Sequence, residues 1–402
     1  MVNNTKKTTR RQFLETTGGT AAALALAGCG SDGKQQGDAN SDGNQTTTTA
    51  KQPPEKGNKE EESLKLINAT ISTLDPIAGG GTTSTEVMVQ IYDGLMAWPE
   101  GQVPVIAKIA SNYEVSDNYT TYTFELRQGV TFHNGKEVTA DDFVYSWRRI
   151  AESDNSVVAG DILDTLGVEH ETTADGSYKP GTLAVEAVDN YTFRFNLKQP
   201  FYATEQLIAN TQFAVIPENI VGDIPGYEGE IPYSKFASKN PIGAGPFKFD
   251  RWESGTEIQV TKYENYYGTG PHLAALHWQI LESDSAVYNY AMNKNADIFT
   301  LPIAQYTPSK LSIKQTDKAG RKFGTYGPLR NGETVNYLSV PQLSINYIGF
   351  NMQTVPQAVR QALAYALNQQ TIAKKIFKGL AESAYHYTLP TVYPGRRNAY
   401  SR

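Results

Sequence analysis

Leu126-Arg127-Gln128-Gly129-Val130-Thr131-Phe132-His133-Asn134-Gly135, followed after Lys136-Glu137-Val138 by Thr139-Ala140-Asp141-Asp142-Phe143-Val144-Tyr145-Ser146-Trp147-Arg148-Arg149, carries the signals of a strand end, a turn and a helix in succession. Just upstream, Tyr122, Phe124 and Leu126 alternate with Thr121, Thr123 and Glu125, the period of two that marks a half-buried strand. Asn134-Gly135, after the Val130-Thr131-Phe132 run, supplies the positive-φ residues of a tight turn. Thr139 with Asp142 three residues on reads as a helix N-cap with an acidic N3. Phe143, Trp147 and Ile150 then fall at i, i+4 and i+7, which predicts a helix that buries this stripe. Asp141-Asp142 could be taken as paired catalytic carboxylates, but acids in a helix's first turn complement its dipole, and that is the simpler reading.

The same alternation of signals runs along the chain. Phe193, Phe195 and Leu197 repeat the strand pattern. Pro356 suits a first helical turn, and Val359, Leu363 and Leu367 continue one face up to Asn368. Asn368 reads as the cap of a second short helix carrying Ile372 and Ile376, which Gly379 stops. No internal repeat is present, so the expected class is mixed α/β. With 402 residues the chain is too long for one ordinary core, and two or three domains are expected. Its 24 Tyr, 15 Phe and 4 Trp are ample for such cores and leave aromatic surface for a cleft.

The first 28 residues read as an export signal: basic Lys6, Lys7, Arg10 and Arg11, then an Ala-rich apolar run from Ala21 to Ala27. That run is too short to span a bilayer. It ends in Leu26-Ala27-Gly28-Cys29, which resembles the lipobox at which a signal peptidase cuts before a cysteine that then receives a lipid. Cys29 is the only cysteine, so it can form no internal disulfide and no thiolate zinc site. Thr9-Arg10-Arg11-Gln12-Phe13-Leu14 resembles a twin-arginine export motif, although two arginines also suit an ordinary signal. From Gly30 to about Ser63 the composition collapses to small polar residues with no apolar periodicity, so residues 29–63 read as a flexible, lipid-anchored tether. Net charge is −6. Residues 1–28 carry four basic groups and one acid, a net +3, so the remainder carries −9, which argues against nucleic acid as a partner.

Signatures of chemistry are sparse. The five histidines, His133, His170, His272, His277 and His386, show no i, i+4 pair with a supporting acid, so no metal site is expected. Gly79-Gly80-Gly81-Thr82-Thr83 lacks the lysine of a phosphate loop, and a ligand-facing or flexible loop is the better reading. No G-x-S-x-G elbow occurs, and neither an enzyme nor a cofactor is implied.

Taken together, several segments resemble one family, the extracytoplasmic solute-binding proteins of family 5, the oligopeptide, dipeptide and nickel class that serves ATP-binding cassette importers. Ser72-Thr73-Leu74-Asp75-Pro76 with Gln90-Ile91-Tyr92-Asp93-Gly94-Leu95 is similar to the family's opening. The stretch quoted above resembles its most diagnostic segment, and the wording Asp142 to Arg149 is similar to the oligopeptide-binding lipoprotein branch. Pro241-Ile242-Gly243-Ala244-Gly245-Pro246-Phe247, Tyr347-Ile348-Gly349-Phe350-Asn351 and Val359-Arg360-Gln361-Ala362-Leu363-Ala364-Tyr365-Ala366 follow in the family's order.

The resemblance implies an α/β, two-lobed fold of the periplasmic-binding-protein type (class II, cluster C) with an extra side domain. Lobe I would comprise residues 64–99 and 241–341, the side domain residues 100–240, and residues 342–402 a partial, incomplete lobe II. The resemblance also implies an oligopeptide ligand held by main-chain hydrogen bonds, with dipeptides, nickel chelates, haem or sugars as rivals within the family. Gly80, Gly81 and Thr82, and Tyr347 in a strand entering lobe II, correspond to ligand-facing segments. The implied partners are a membrane permease and its ATPase. The protein would be a monomer at the outer face of the cell membrane, held by the lipid on Cys29. A surface scaffold or adhesin is the alternative of a different class, since the tether and aromatic surface would serve it equally.

Overall fold

The computed structural model describes residues 63–386 apart from Gly80, Gln102, Val103 and Leu343. The export segment with Arg10 and Arg11, the lipidation position Cys29, residues 29–62 of the tether and the site residue Gly80 lie outside the described residues. The described chain divides into two compact units. One holds the residues up to Ala286 together with Lys294–Phe299, and the other holds Val287–Asn293 and the residues from Thr300 onward.

In chain order the first unit carries β1 (Ser63–Asn68), α1 (Thr82–Ile91), β2 (Met96–Ala97), β3 (Ile106–Ala107), β4 (Ala110–Val115), β5 (Thr121–Leu126) and α2 (Ala140–Glu152). It continues with β6 (Val185–Asp189), β7 (Thr192–Asn196), β8 (Phe247–Glu253), β9 (Glu257–Lys262) and β10 (Ala275–Ile280). One sheet has the order β1-β10-β9-β8, with β1 and β10 parallel and the other pairs antiparallel. A second, fully antiparallel sheet has the order β4-β5-β7-β6.

The alternation read from the sequence sets the second sheet. Tyr122, Phe124 and Leu126 of β5 and Phe193 and Phe195 of β7 are buried on its inner face, and Tyr122 stacks on Phe195 with ring centroids 5.0 Å apart. Helix α2 covers that face. Phe143, Trp147 and Ile150 are fully buried, and the Trp147 ring lies 4.9 to 5.2 Å from Phe193, Phe195 and Phe213. Each such burial stabilises by about 1.5–3 kcal/mol. The Asp142 carboxylate accepts the Thr139 N–H at 2.7 Å, closing the acidic half of the capping box. Tyr145 and Ser146 are buried as well, so α2 is enclosed on a wider arc than the stripe suggested.

The turn after β5 differs from the expected two-residue form. Of Asn134 and Gly135 only Gly135 adopts positive φ, at +86°, and Phe132 N–H reaches as far as the Lys136 carbonyl at 2.8 Å. Asn134 keeps an ordinary backbone because its side chain accepts the Lys136 N–H at 3.1 Å, which stabilises the wider loop. One continuous apolar core runs from Leu64 through both sheets to Ile280.

Helix α3 (Asp284–Met292) leads into the second unit, where β11 (Leu311–Thr316), β12 (Lys322–Tyr326) and β13 (Val335–Ser339) form an antiparallel meander. Helix α4 (Gln357–Ala366) follows, then a short helical turn capped by Asn368, whose side-chain oxygen accepts the Thr371 N–H at 2.8 Å. Gly379, at φ +82°, ends this segment as read from the sequence. No residue of α4 is buried, and Val359 and Leu363 are 46% and 44% exposed. Among the described residues no helix is long and apolar enough to cross a membrane.

Candidate functional site

Strands β1 and β10 end side by side at Asn68 and Ile280, and the crevice beyond the carboxyl ends of parallel strands is where α/β sheets place ligands. Helix α1 begins at that edge. The Asn68 amide donates to the Thr83 carbonyl at 3.0 Å, and the Thr83 hydroxyl donates to the Thr70 carbonyl at 2.8 Å. Gly81 enters the helix in an extended conformation, φ −109° and ψ 147°, and its carbonyl accepts both the N–H and the hydroxyl of Thr85. Thr82, the first helical residue, is exposed. Gly79 packs where a Cβ would lie 2.9 Å from the Met88 terminal methyl and 3.1 Å from Thr73, so the loop lies close against α1.

The segment leading into this loop is fixed from below. Asp75 is fully buried and pairs with Arg149 of α2 through two contacts, Nη2 to Oδ2 at 2.8 Å and Nη1 to Oδ1 at 3.3 Å. Arg149, itself 1% exposed, also grips Asp223 through Nε at 2.8 Å and Nη2 at 2.7 Å, and Ser153 and Asn155 add hydrogen bonds to the same carboxylate. Burial opposes the charges, but the contacts with Arg149 hold the Asp223 carboxyl below its ordinary range, and the two acids hold the guanidinium charged. Further bonds complete the support: Tyr92 hydroxyl to the Leu74 carbonyl at 2.8 Å, and Val157 N–H to the Ile77 carbonyl at 3.0 Å.

Two further family-like segments, those holding His133 and Gly243–Gly245, meet at the far end of α1. A Cβ on Gly243 or Gly245 would stand 2.3 Å or 2.5 Å from backbone atoms of Ile91, so both positions require glycine. His133 straps them down: its N–H donates to the Gly243 carbonyl at 2.9 Å, ring Nε2–H to the Gly245 carbonyl at 3.0 Å, and ring Nδ1 faces the Gly243 N–H at 3.4 Å. Both ring nitrogens are thus used by a neutral imidazole. Burial, with a smaller contribution from Lys248, lowers its pKa to about 4 against the opposing hydrogen bond to Gly245. Asp93 accepts hydroxyls from both Tyr266 and Tyr267 at 2.9 Å and lies 3.7 Å from the Lys108 ammonium. Beside it lies a recess of about 40 Å³, lined in part by Trp98 and Asn210.

Gly81 and Thr82 therefore stand together at the α1 edge, while Tyr347 belongs to the second unit and is 66% exposed. The strand expected around Tyr347 does not form: the second unit's sheet comprises β11, β12 and β13, and residues 344–350 pair with none of them. Among the described residues no group of three or more His, Cys, Asp or Glu side chains could hold a metal ion, and His277 instead pairs with Glu257 at 2.7 Å. Sequence reasoning did not find the Asp75–Arg149 pair, because nothing in one sequence joins positions 74 residues apart. It also passed over Glu86 of α1, which accepts the Trp278 indole N–H at 3.0 Å.

Comparison with known proteins agrees with this architecture. The chain is 27% identical over 333 residues to the dipeptide-binding protein of Escherichia coli (strain K12), covering 78% of this chain and 55% of that one. It is 27% identical over 326 residues to the oligopeptide-binding protein AppA of Bacillus subtilis (strain 168), covering 80% and 51%. The chain thus spans about half the length of these curated relatives. The periplasmic binding protein DppA from Helicobacter pylori, solved in complex with peptide STSA, superposes with a TM-score of 0.63 at 19% identity, over 83% of this chain and 63% of that one. That likeness establishes the fold as the mixed α/β one of periplasmic binding proteins. Residues 104–402 match the bacterial extracellular solute-binding proteins, family 5 middle, and the chain belongs to that family.

Proposed function

We propose that this protein captures oligopeptides outside the cytoplasm and hands them to an ATP-binding cassette importer, without chemically changing them. The observation that carries the reading is the edge where β1 and β10 end against the start of α1, at which Gly81 enters the helix in an extended conformation and Thr82 is exposed. A glycine loop with few side chains lets an extended peptide approach closely, and main-chain pairing of that kind tolerates many side chains. Relatives that bind dipeptides and oligopeptides support the substrate class. Gly80, Gly81, Thr82 and Tyr347 are the ligand-facing residues of this reading. Residues 64–99 and 241–341 act as lobe I, residues 100–240 as the side domain, and residues 342–402 as part of lobe II.

Native mass spectrometry against a mixed panel of tetrapeptides, free amino acids, a nickel–histidine complex and sugars tests the substrate class. Selective retention of tetrapeptides is expected, and retention of another class in their place refutes it. The protein works as a lipoprotein anchored through Cys29, in support of which stands the Leu26-Ala27-Gly28-Cys29 wording. Two acyl chains, at about 0.8 kcal/mol per buried methylene, hold such an anchor firmly. Cys29→Ala is expected to leave the membrane fraction, and a variant that stays membrane-bound at unchanged mass contradicts the anchor.

A further inference from the structure

Charge is distributed unevenly along the chain. Residues 300–402 carry 13 basic and 3 acidic side chains, a net +10, although the whole chain carries −6. The basic groups are densest in the β11–β12 hairpin, where residues 310–322 hold Lys310, Lys314, Lys318, Arg321 and Lys322 against the single acid Asp317. That acid is already engaged: its carboxylate accepts Arg321 Nε–H at 2.6 Å and the N–H groups of Ala319 and Arg321 at 3.0 and 2.9 Å, which orders the turn. Lys314, Lys318 and Lys322 are exposed and pair with no acid among the described residues. Thr316 stands opposite Lys322 and Ile313 opposite Gly324, and residues two apart on β12 share a face, so Ile313, Thr316 and Lys322 lie on one side of the hairpin. Lys314 is the extra residue of a bulge between Ile313 and Gln315 on β11, an edge strand of its sheet. Gly324 permits the close approach there, since a Cβ at that position would collide with the Ser312 carbonyl. Ile313, 41% exposed, is thus an apolar side chain set among lysines.

We propose that the β11–β12 hairpin docks on an anionic lipid surface, with Lys314, Lys318 and Lys322 on headgroup phosphates and Ile313 entering the interface between them. Clustered lysines are drawn to anionic headgroups once they come within about a Debye length. Ile313 selects among polyanions: an exposed apolar side chain beside the charges gains from the acyl boundary of a bilayer and from nothing in a water-soluble polyphosphate or nucleic acid. Lysines and a bulge on an edge strand also deter unwanted strand pairing, but that role calls for no exposed isoleucine on the same face. The hairpin gives the protein a membrane contact independent of the lipid on Cys29 and of peptide capture.

The test is co-sedimentation of the chain from residue 29 onward, carrying Cys29→Ser so that neither leader nor acyl chain contributes, with two kinds of vesicle. One is phosphatidylcholine alone and the other carries about a third phosphatidylglycerol. Binding to the anionic vesicles is expected to exceed binding to phosphatidylcholine at least about tenfold and to fall steeply with added salt. The combined Lys314→Gln, Lys318→Gln and Lys322→Gln variant is expected to lose at least about tenfold of that binding, and Ile313→Ser about threefold. Removing the same charge from the first unit, by Lys235→Gln, Lys239→Gln and Lys248→Gln together, is expected to leave binding unchanged. All seven positions are exposed, so the substitutions spare the core. Equal binding to both kinds of vesicle, or equal losses for the two triple variants, overturns the hairpin as a lipid contact. A loss in the hairpin lysine variant with Ile313→Ser unaffected marks a site for soluble polyanions and overturns the membrane reading.

Discussion

Replacing His133 with glutamine removes one titrating group from the strap that holds Gly243 and Gly245 against Ile91, while an amide can still donate to the Gly245 carbonyl. In the folded protein the imidazole has its pKa lowered from 6.5 to about 4. An unfolded chain therefore binds a proton as pH falls below about 6.5, whereas the folded chain resists it down to about 4. The stability contributed by the neutral ring is complete above pH 6.5 and drains away between 6.5 and 4. With about 1.4 kcal/mol per pKa unit, the loss across that window is about 3 kcal/mol, and its slope approaches 1.4 kcal/mol per pH unit. Urea unfolding of the wild type and of His133→Gln, followed by tryptophan fluorescence at half-unit steps from pH 4 to 7.5, isolates the contribution because the other groups titrate in both proteins. The wild type is expected to lose about 3 kcal/mol more than the variant on acidification. Parallel profiles would refute the assignment of a buried neutral histidine.

Other consequences follow from the same contacts. Arg149→Met leaves Asp75 and Asp223 buried without a counter-charge and is expected to destabilise by about 3–5 kcal/mol in urea unfolding, with partial recovery when both acids are also made asparagine. A cost below 1 kcal/mol would show that the pair is not the support of the loop. Lys378 donates to the carbonyls of Ile303, at 2.6 Å, Ala304 and Tyr306, so Lys378→Met is expected to speed amide exchange around residues 303–306 without changing exchange in β5 or β7.

Much of the first unit was legible because local rules decide it. The two-residue period of β5 and β7, the Thr139–Asp142 cap and the Phe143-Trp147-Ile150 stripe each specify an element without reference to distant chain, and each was found as read. The turn at Asn134-Gly135 was misjudged in width because the Asn134 side chain, rather than its backbone, completes the loop. Long-range pairing was not legible: β1 joins β10 across more than 200 residues, and a single period-two run cannot name its partner. The site shares this limit. Gly81 and Thr82 are proposed through resemblance, whereas the role of Arg149 beneath that loop depends on which groups share a desolvated space. At Tyr347 the local pattern suggests a strand, but a strand exists only through pairing with a neighbour, and residues 344–350 make none.

Isothermal calorimetry of the best-retained tetrapeptide with the wild-type protein, Thr82→Ser and Thr82→Tyr tests most directly whether peptide is captured at the start of α1. Thr82 is exposed at the helix's first position, so tyrosine there is accommodated by the fold and obstructs only a ligand lying against the start of α1. Measurable binding by the wild type, an affinity within about threefold for Thr82→Ser and a loss of at least about tenfold for Thr82→Tyr are expected, tenfold being 1.4 kcal/mol. Equal affinities for the serine and tyrosine variants, or no peptide binding by the wild type, would contradict the account.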